Sequence, residues 1–165
     1  MVTIIVDDKD VNKAIDNVLA ALANPKPAFE DISNLMYEDV FDHFRKEEGP
    51  QGKWKKSWRV KLKGGTVLRD KGAAIGLIGT ILQGRGADKT SAFLKTKRIY
   101  AQIHQFGGVI KPKTKSTLKF KGPDGKTYFK KSVTIPARPF FWISKAGASR
   151  IVKELGDYIM KAWNK

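Results

Sequence analysis

The sequence predicts an α+β domain: a small antiparallel sheet with helices N-terminal to it and a packed C-terminal helix. Three observations carry this. Apolar residues recur at helical spacing near both ends of the chain. In the middle they alternate with polar residues, and Gly/Pro clusters punctuate the transitions between these textures. The 165 residues read as a single domain, 1–165, with no internal repeat.

Val2–Val6 is a β-branched run that fits a short strand. Asp10 can cap a first helix carrying Val11, Ile15, Val18, Leu19 and Leu22, stopped by Asn24-Pro25. Pro27 suits the first turn of a longer second helix, with Ile32, Leu35, Met36, Val40 and Phe44 as its stripe and Gly49-Pro50 as its stop. From Lys53 to Lys63 large apolar residues (Trp54, Trp58, Val60, Leu62) mostly hold the even positions and basic or polar ones the odd, which predicts an extended segment. Gly64-Gly65 breaks it. Residues 72–86, apolar but rich in glycine, read as a loop or a poorly formed short helix. Ser91–Lys97 fits a strand, and Tyr100–Gln105 one or two helical turns closed by Gly107-Gly108. Lysine-rich alternation over 109–121, the turn Gly122-Pro123-Asp124-Gly125 and a return through Tyr128, Phe129, Val133 and Ile135 predict a hairpin. After Pro136-Ala137-Arg138-Pro139, Ser144 opens a final helix with the stripe Ile151, Val152, Leu155, Tyr158, Ile159, Ala162 and Trp163.

Charge divides the chain. Residues 1–50 carry 5 Lys/Arg against 11 Asp/Glu, net −6, and residues 51–165 carry 27 against 5, net +22. The acids fall on the outward faces of the first two helices. Such a division points to an acidic partner, to nucleic acid, or to contact between opposite ends of neighbouring copies. With no cysteine there are no disulfides or thiolate metal sites. No apolar run approaches the ~20 residues of a membrane span. The start, Met1 to Asp8, turns acidic at once and does not read as a secretory signal.

Little in the sequence points to catalysis or to a cofactor. His43 and His104 lie far apart and neither joins a known metal-ligand signature; His43 reads as a surface or boundary histidine. No G-x-S-x-G elbow is present. Gly84-Arg-Gly-Ala-Asp-Lys89-Thr90 lacks the glycine a phosphate loop needs before its lysine, and Asp88 would oppose a phosphate. The lysine-rich strands near Phe120, Tyr128 and Phe129 can track a phosphate backbone without sequence preference, so a basic nucleic-acid-binding module is the alternative reading. Lysine on an edge strand also serves simply to prevent sheet-to-sheet aggregation.

Two segments resemble one family. Tyr100-Ala-Gln-Ile-His104-Gln105-Phe106-Gly107-Gly108 is similar to the Y-A-x-I-H-Q-F-G-G segment of the phage virion morphogenesis family, the tail-completion proteins of contractile-tailed phages. Val133-Thr-Ile-Pro136-Ala-Arg138-Pro139-Phe140 resembles its V-x-I-P-A-R-P-F segment, and Glu48-Gly-Pro50-Gln-Gly52-Lys-Trp54 its E-x-x-P-x-G-x-x-W. The resemblance covers residues 28–163, leaving 1–26 as an N-terminal addition or a divergent start. The family's L-x-x-T-G-x-L-x-x-S-I segment has only Ile81-Leu82-Gln-Gly84-Arg-Gly86 as its counterpart.

The resemblance implies a structural, non-enzymatic subunit with no cofactor and no membrane contact, made in a host bacterial cytoplasm and ending in the tail or neck of a virion. Its expected partners are other tail and neck proteins and further copies of itself in a ring, with any DNA contact non-specific. Candidate structural or interaction residues are Trp54, Tyr100, His104, Gln105, Phe106, Gly107, Gly108, Pro136, Arg138, Pro139, Phe140 and Trp142. Arg138, held between two prolines, is expected to brace the fold rather than greet a neighbour. His104 and Gln105 are expected to satisfy nearby backbone groups. Of the consecutive aromatics Phe140, Phe141 and Trp142, one core cannot bury all three, so at least one is expected to face a partner.

Overall fold

A computed structural model describes residues 8–69 and 76–165. The strand expected at Val2–Val6 lies outside the described residues. Helix α1 spans Lys9–Ala23, with Asp8 at the N-cap position instead of Asp10 and without a side-chain cap. Helix α2, Lys26–Lys46, carries a proline in its first turn and ends where Glu47 turns left-handed at φ 54°. The Glu47 carboxylate then accepts the Val67 N–H at 2.5 Å, which ties the end of α2 to a distant loop.

The fold class is as read, α+β with N-terminal helices and a packed C-terminal helix. Its strands, however, form four separate two-stranded antiparallel ladders among the described residues. Glu48–Gly49 (β1) pairs with Gly52–Lys53 (β2), and Arg85–Ala87 (β3) with Ala92–Leu94 (β4). Gly108–Ile110 (β5) pairs with Val133–Ile135 (β8), and Leu118–Lys121 (β6) with Thr127–Lys130 (β7) around the expected turn. Two-stranded ribbons are marginal alone; α2 packs on both β3 and β4, which supports that ladder.

One expectation fails outright. The segment read as extended over Lys53–Lys63 contains a helix, α3, at Trp58–Lys63. The Ser57 hydroxyl caps it by accepting the Val60 N–H, and Gly64 at φ 70° closes it. Over so short a window an alternating pattern does not separate the two periods, and the cap and closing glycine decide for helix. Beyond it, the glycine-rich stretch yields a real helix, α4 (Leu77–Gln83), because Leu77, Ile78 and Ile81 are all buried. Burial outweighs the propensity cost of Gly79.

The core forms around α2. Val40 and Phe44 are fully buried, and Phe44 meets Trp54 edge-on at 5.5 Å and Phe140 at 5.5 Å. Val60, Val67, Leu77, Ile78, Ile81 and Ala101 complete this cluster. Short helix α5 (Ala101–Phe106) lies beside it, and long helix α6 (Lys145–Trp163) packs on both α1 and α2. Helices α1 and α6 run antiparallel, with Lys13 reaching the Lys165 carbonyl and Tyr158 Oη within hydrogen-bonding distance of the Ala21 and Asn24 carbonyls.

The apolar stripe of α1 does not enter this core. Val11, Ile15, Leu19 and Leu22 are 43–59% exposed, and of that helix only Ala14 is buried. Phe44→Ala is therefore expected to cost about 3–5 kcal/mol in urea denaturation of the dilute protein. Leu19→Ala should stay within about 0.5 kcal/mol, since it removes no buried contact.

Candidate functional site

Residues 136–144 join β8 to α6 with no helix or strand of their own, yet Arg138 and Phe140 within them are buried. Their backbone groups must find partners elsewhere. Side chains from three separated parts of the chain supply them. The Gln105 amide oxygen accepts the N–H groups of Phe140 and Phe141, both at 3.0 Å, and its amide nitrogen donates to the Phe141 carbonyl at 3.1 Å. One side chain thus does what a neighbouring strand would do. Trp54 Nε1 donates to the Pro139 carbonyl, and His43 Nδ1 lies 3.1 Å from the Phe140 carbonyl. Asp39 accepts both the Ser144 N–H at 2.7 Å and the Ser144 hydroxyl at 2.5 Å.

Arg138 sits inside this strap at 4% exposure. Its N–H donates to the His104 carbonyl at 2.7 Å, and its Nε donates to the Lys55 carbonyl at 2.9 Å. This is a bracing geometry. Gly107 and Gly108 adopt φ of 71° and 149°, and a Cβ on Gly107 would come within 2.7 Å of the Ala137 nitrogen. The tyrosine-to-glycine segment and the proline-rich segment are therefore two sides of one junction, with β5 and β8 paired directly beside it.

Two residues at the centre of the strap differ from their reading in the sequence. His43 is buried at 3% exposure and stacks on Trp142 with ring centroids 4.3 Å apart, so it is not a surface histidine. Asp39 is buried at 4%, so the acids of α2 do not all face outward. Both sit one helical turn apart, next to the apolar positions Met36, Val40 and Phe44. A polar pair on the flank of a buried stripe was the signal available in the sequence. Asp39 also leaves no room above it, since a Cβ on Gly147 would come within 2.6 Å of its carboxylate.

The remaining candidate residues separate into inner and outer sets. Trp54 and Phe140 are buried, whereas Pro136, Pro139, Gln105 and Trp142 are half-buried. Trp142 and Phe141 line a shallow apolar cleft of about 330 Å³ with Met36, Val40, Leu94 and Ile143. Tyr100 is 40% exposed and Phe106 74% exposed. His104 is half-buried, with Nδ1 unpartnered and its ring edge-on to Tyr100. Burial, and then the Arg138 charge, hold its pKa below the usual histidine value.

His104, Arg138, Arg59, Tyr100 and Ser57 share a second cleft of about 330 Å³, with no carboxylate among the described residues that line it. Among the described residues no group of three or more His, Asp or Glu is placed to hold a metal. No helix there is long and apolar enough to cross a membrane. The chemistry of the strap is hydrogen bonding of one backbone segment by many side chains, which fixes shape.

The sequence profile of the phage virion morphogenesis family matches residues 6–160. A curated relative, the Mu-like prophage FluMu G protein 2 of Haemophilus influenzae, is 27% identical over 150 residues, covering 91% of this chain and 89% of that protein. No solved structure matches the chain.

Gln105→Ala strips partners from three backbone groups of the strap and is expected to destabilise by at least ~1–3 kcal/mol in chemical denaturation. A histidine whose pKa falls on folding binds fewer protons folded than unfolded. Its contribution is thus full above its unfolded pKa and declines as pH drops through that value toward the folded one. The thermal midpoint is accordingly expected to fall between pH 7.5 and pH 5.5, and His104→Gln should flatten that fall.

Proposed function

The chain belongs to the phage virion morphogenesis family, and from that premise we propose that it is a structural, non-enzymatic subunit of tail completion or head-tail joining that works by self-assembly. Its copies associate through unlike faces into a ring and contact other tail and neck proteins. The observation that carries this reading is the charge division, −6 over residues 1–50 and +22 over residues 51–165. A closed ring of identical subunits with heterologous contacts needs two different, complementary patches on each copy. An acidic helical region and a basic remainder meet that need and speed encounter by electrostatic steering. The relative from a Mu-like prophage supports the phage setting. The strap supports the structural role, because it spends the polar side chains of the shared motifs on rigidity.

Lysine enrichment of β6, β7 and the preceding loop favours a second reading, non-specific attachment to nucleic acid. Filter binding separates the two, since a dedicated nucleic-acid binder would show tight binding with a steep inverse salt dependence.

Charge between exposed faces is screened over about 8 Å at physiological salt. Sedimentation velocity is expected to show an oligomer at low salt whose proportion falls as salt rises. The same monomer at every salt concentration would contradict the charge-patch version.

A further inference from the structure

Helices α1 and α6 leave their apolar sides uncovered. On α1 the open residues are Val11, Ile15, Leu19 and Leu22, and on α6 they include Val152, Ile159, Met160 and Trp163. At 100° per residue, each stripe lies on the same rotational side of the edge by which its helix packs on the other. Because the helices are antiparallel, both stripes turn to one side of the pair. Val11 and Trp163 indeed line a single groove. Counting Leu155, nine large side chains are 39–70% exposed here. They offer on the order of 800 Å² of apolar surface, one partner's share of an interface of standard size.

A second apolar patch lies around α5 and β5. Ile99 is 96% exposed, Phe106 74% and Val109 53%, with Tyr100 and Ile110 at 40%. Its surroundings are cationic: residues 95–115 contain six Lys/Arg and no Asp/Glu. Two copies of this patch would repel one another. The helical pair is different, since Lys9–Ala23 and Lys145–Trp163, taken with Asp8, carry five acids against six bases. Asp10, which lines the groove with Val11 and Trp163, can receive a lysine that flanks an incoming apolar patch.

We propose that the apolar face of α1 and α6 on one copy docks on the Ile99–Phe106–Val109 patch of the next copy. This rests on the self-assembly reading and gives it two unlike apolar faces, distinct from the charge division. The contact is heterologous, so each copy uses the helical face once and the α5/β5 patch once. Uncovered greasy helix would otherwise be a standing aggregation hazard.

The test uses two variants of the full chain. Leu19→Lys with Val152→Lys spoils the helical face, and Ile99→Lys with Phe106→Lys spoils the patch. All four positions are exposed, so circular dichroism and a cooperative melt should match the parent. If either variant melts abnormally, the milder pairs Leu19→Gln/Val152→Gln and Ile99→Gln/Phe106→Gln replace them. Each variant alone should self-associate about 30-fold or more weakly than the parent, the loss typical of interface hot spots. An equimolar mixture should form a 1:1 dimer that grows no further, because one good face remains on each partner. If the patch variant still dimerises, the helical-face variant is monomeric and mixing rescues nothing, the helical faces pair with each other and the inference fails. If both variants assemble like the parent, the inference fails while self-assembly stands. If the parent itself stays monomeric up to high concentration, both fall.

Discussion

The irregular segment 136–144 buries Arg138 and Phe140, and it can do so because side chains hydrogen-bond most of the backbone around them. A buried amide or carbonyl without a partner costs about 1–3 kcal/mol, and this segment has no adjacent strand to provide one. Gln105, Trp54, His43 and Asp39 each meet part of the need, and they come from three separate places: helix α5, the loop before α3, and helix α2. The consequence is long-range. Helix α2, the loop before α3, helix α5 and the start of α6 are all fixed relative to one another by a single stretch of backbone. Arg138 adds the Lys55 carbonyl to the same set. A protein with four isolated two-stranded ladders has little sheet to organise it, and the strap takes that part.

Much of this was legible in the sequence, and what was missed has physical causes. The long helices α2 and α6 follow from stripes of 3.6-residue period and from Pro27 and Ser144 near their starts, and Ser144 does accept the Gly147 N–H as a cap. The β6–β7 hairpin follows from its Pro-Asp-Gly turn, where Gly125 reaches φ 83°. Helix α3 was missed because six residues give too little length to tell an alternating pattern from a helical one. Its cap, Ser57, was there to be read. Helix α4 was undervalued because propensity counts glycine against a helix, while packing of Leu77, Ile78 and Ile81 decides the outcome.

The candidate site was half legible. The two glycine- and proline-bearing segments were singled out, and they turn out to be the two sides of one junction. Their partners on α2 were not, because a buried Asp39 and His43 look in sequence like any other polar residues of an acidic helix. Burial of a polar side chain is a statement about its neighbours, and the only local sign of it is the pair's place on the flank of the apolar stripe. The same limit explains α1. A periodic stripe says that a helix covers something apolar, but not whether that something belongs to its own chain. Here the stripe is left open beside that of α6, so the feature that resembles a core is surface.

The protein combines a backbone segment held by side chains from several elements with helix faces whose apolar residues are exposed. Native-state hydrogen exchange of the isolated protein tests the strap most directly. The Phe140 and Phe141 amides, bonded only to a side chain, should exchange as slowly as the buried middle of α2, through global unfolding. Exchange of those two amides at the rate of an ordinary connecting loop, with α2 still protected, would show that the segment opens by itself and organises nothing.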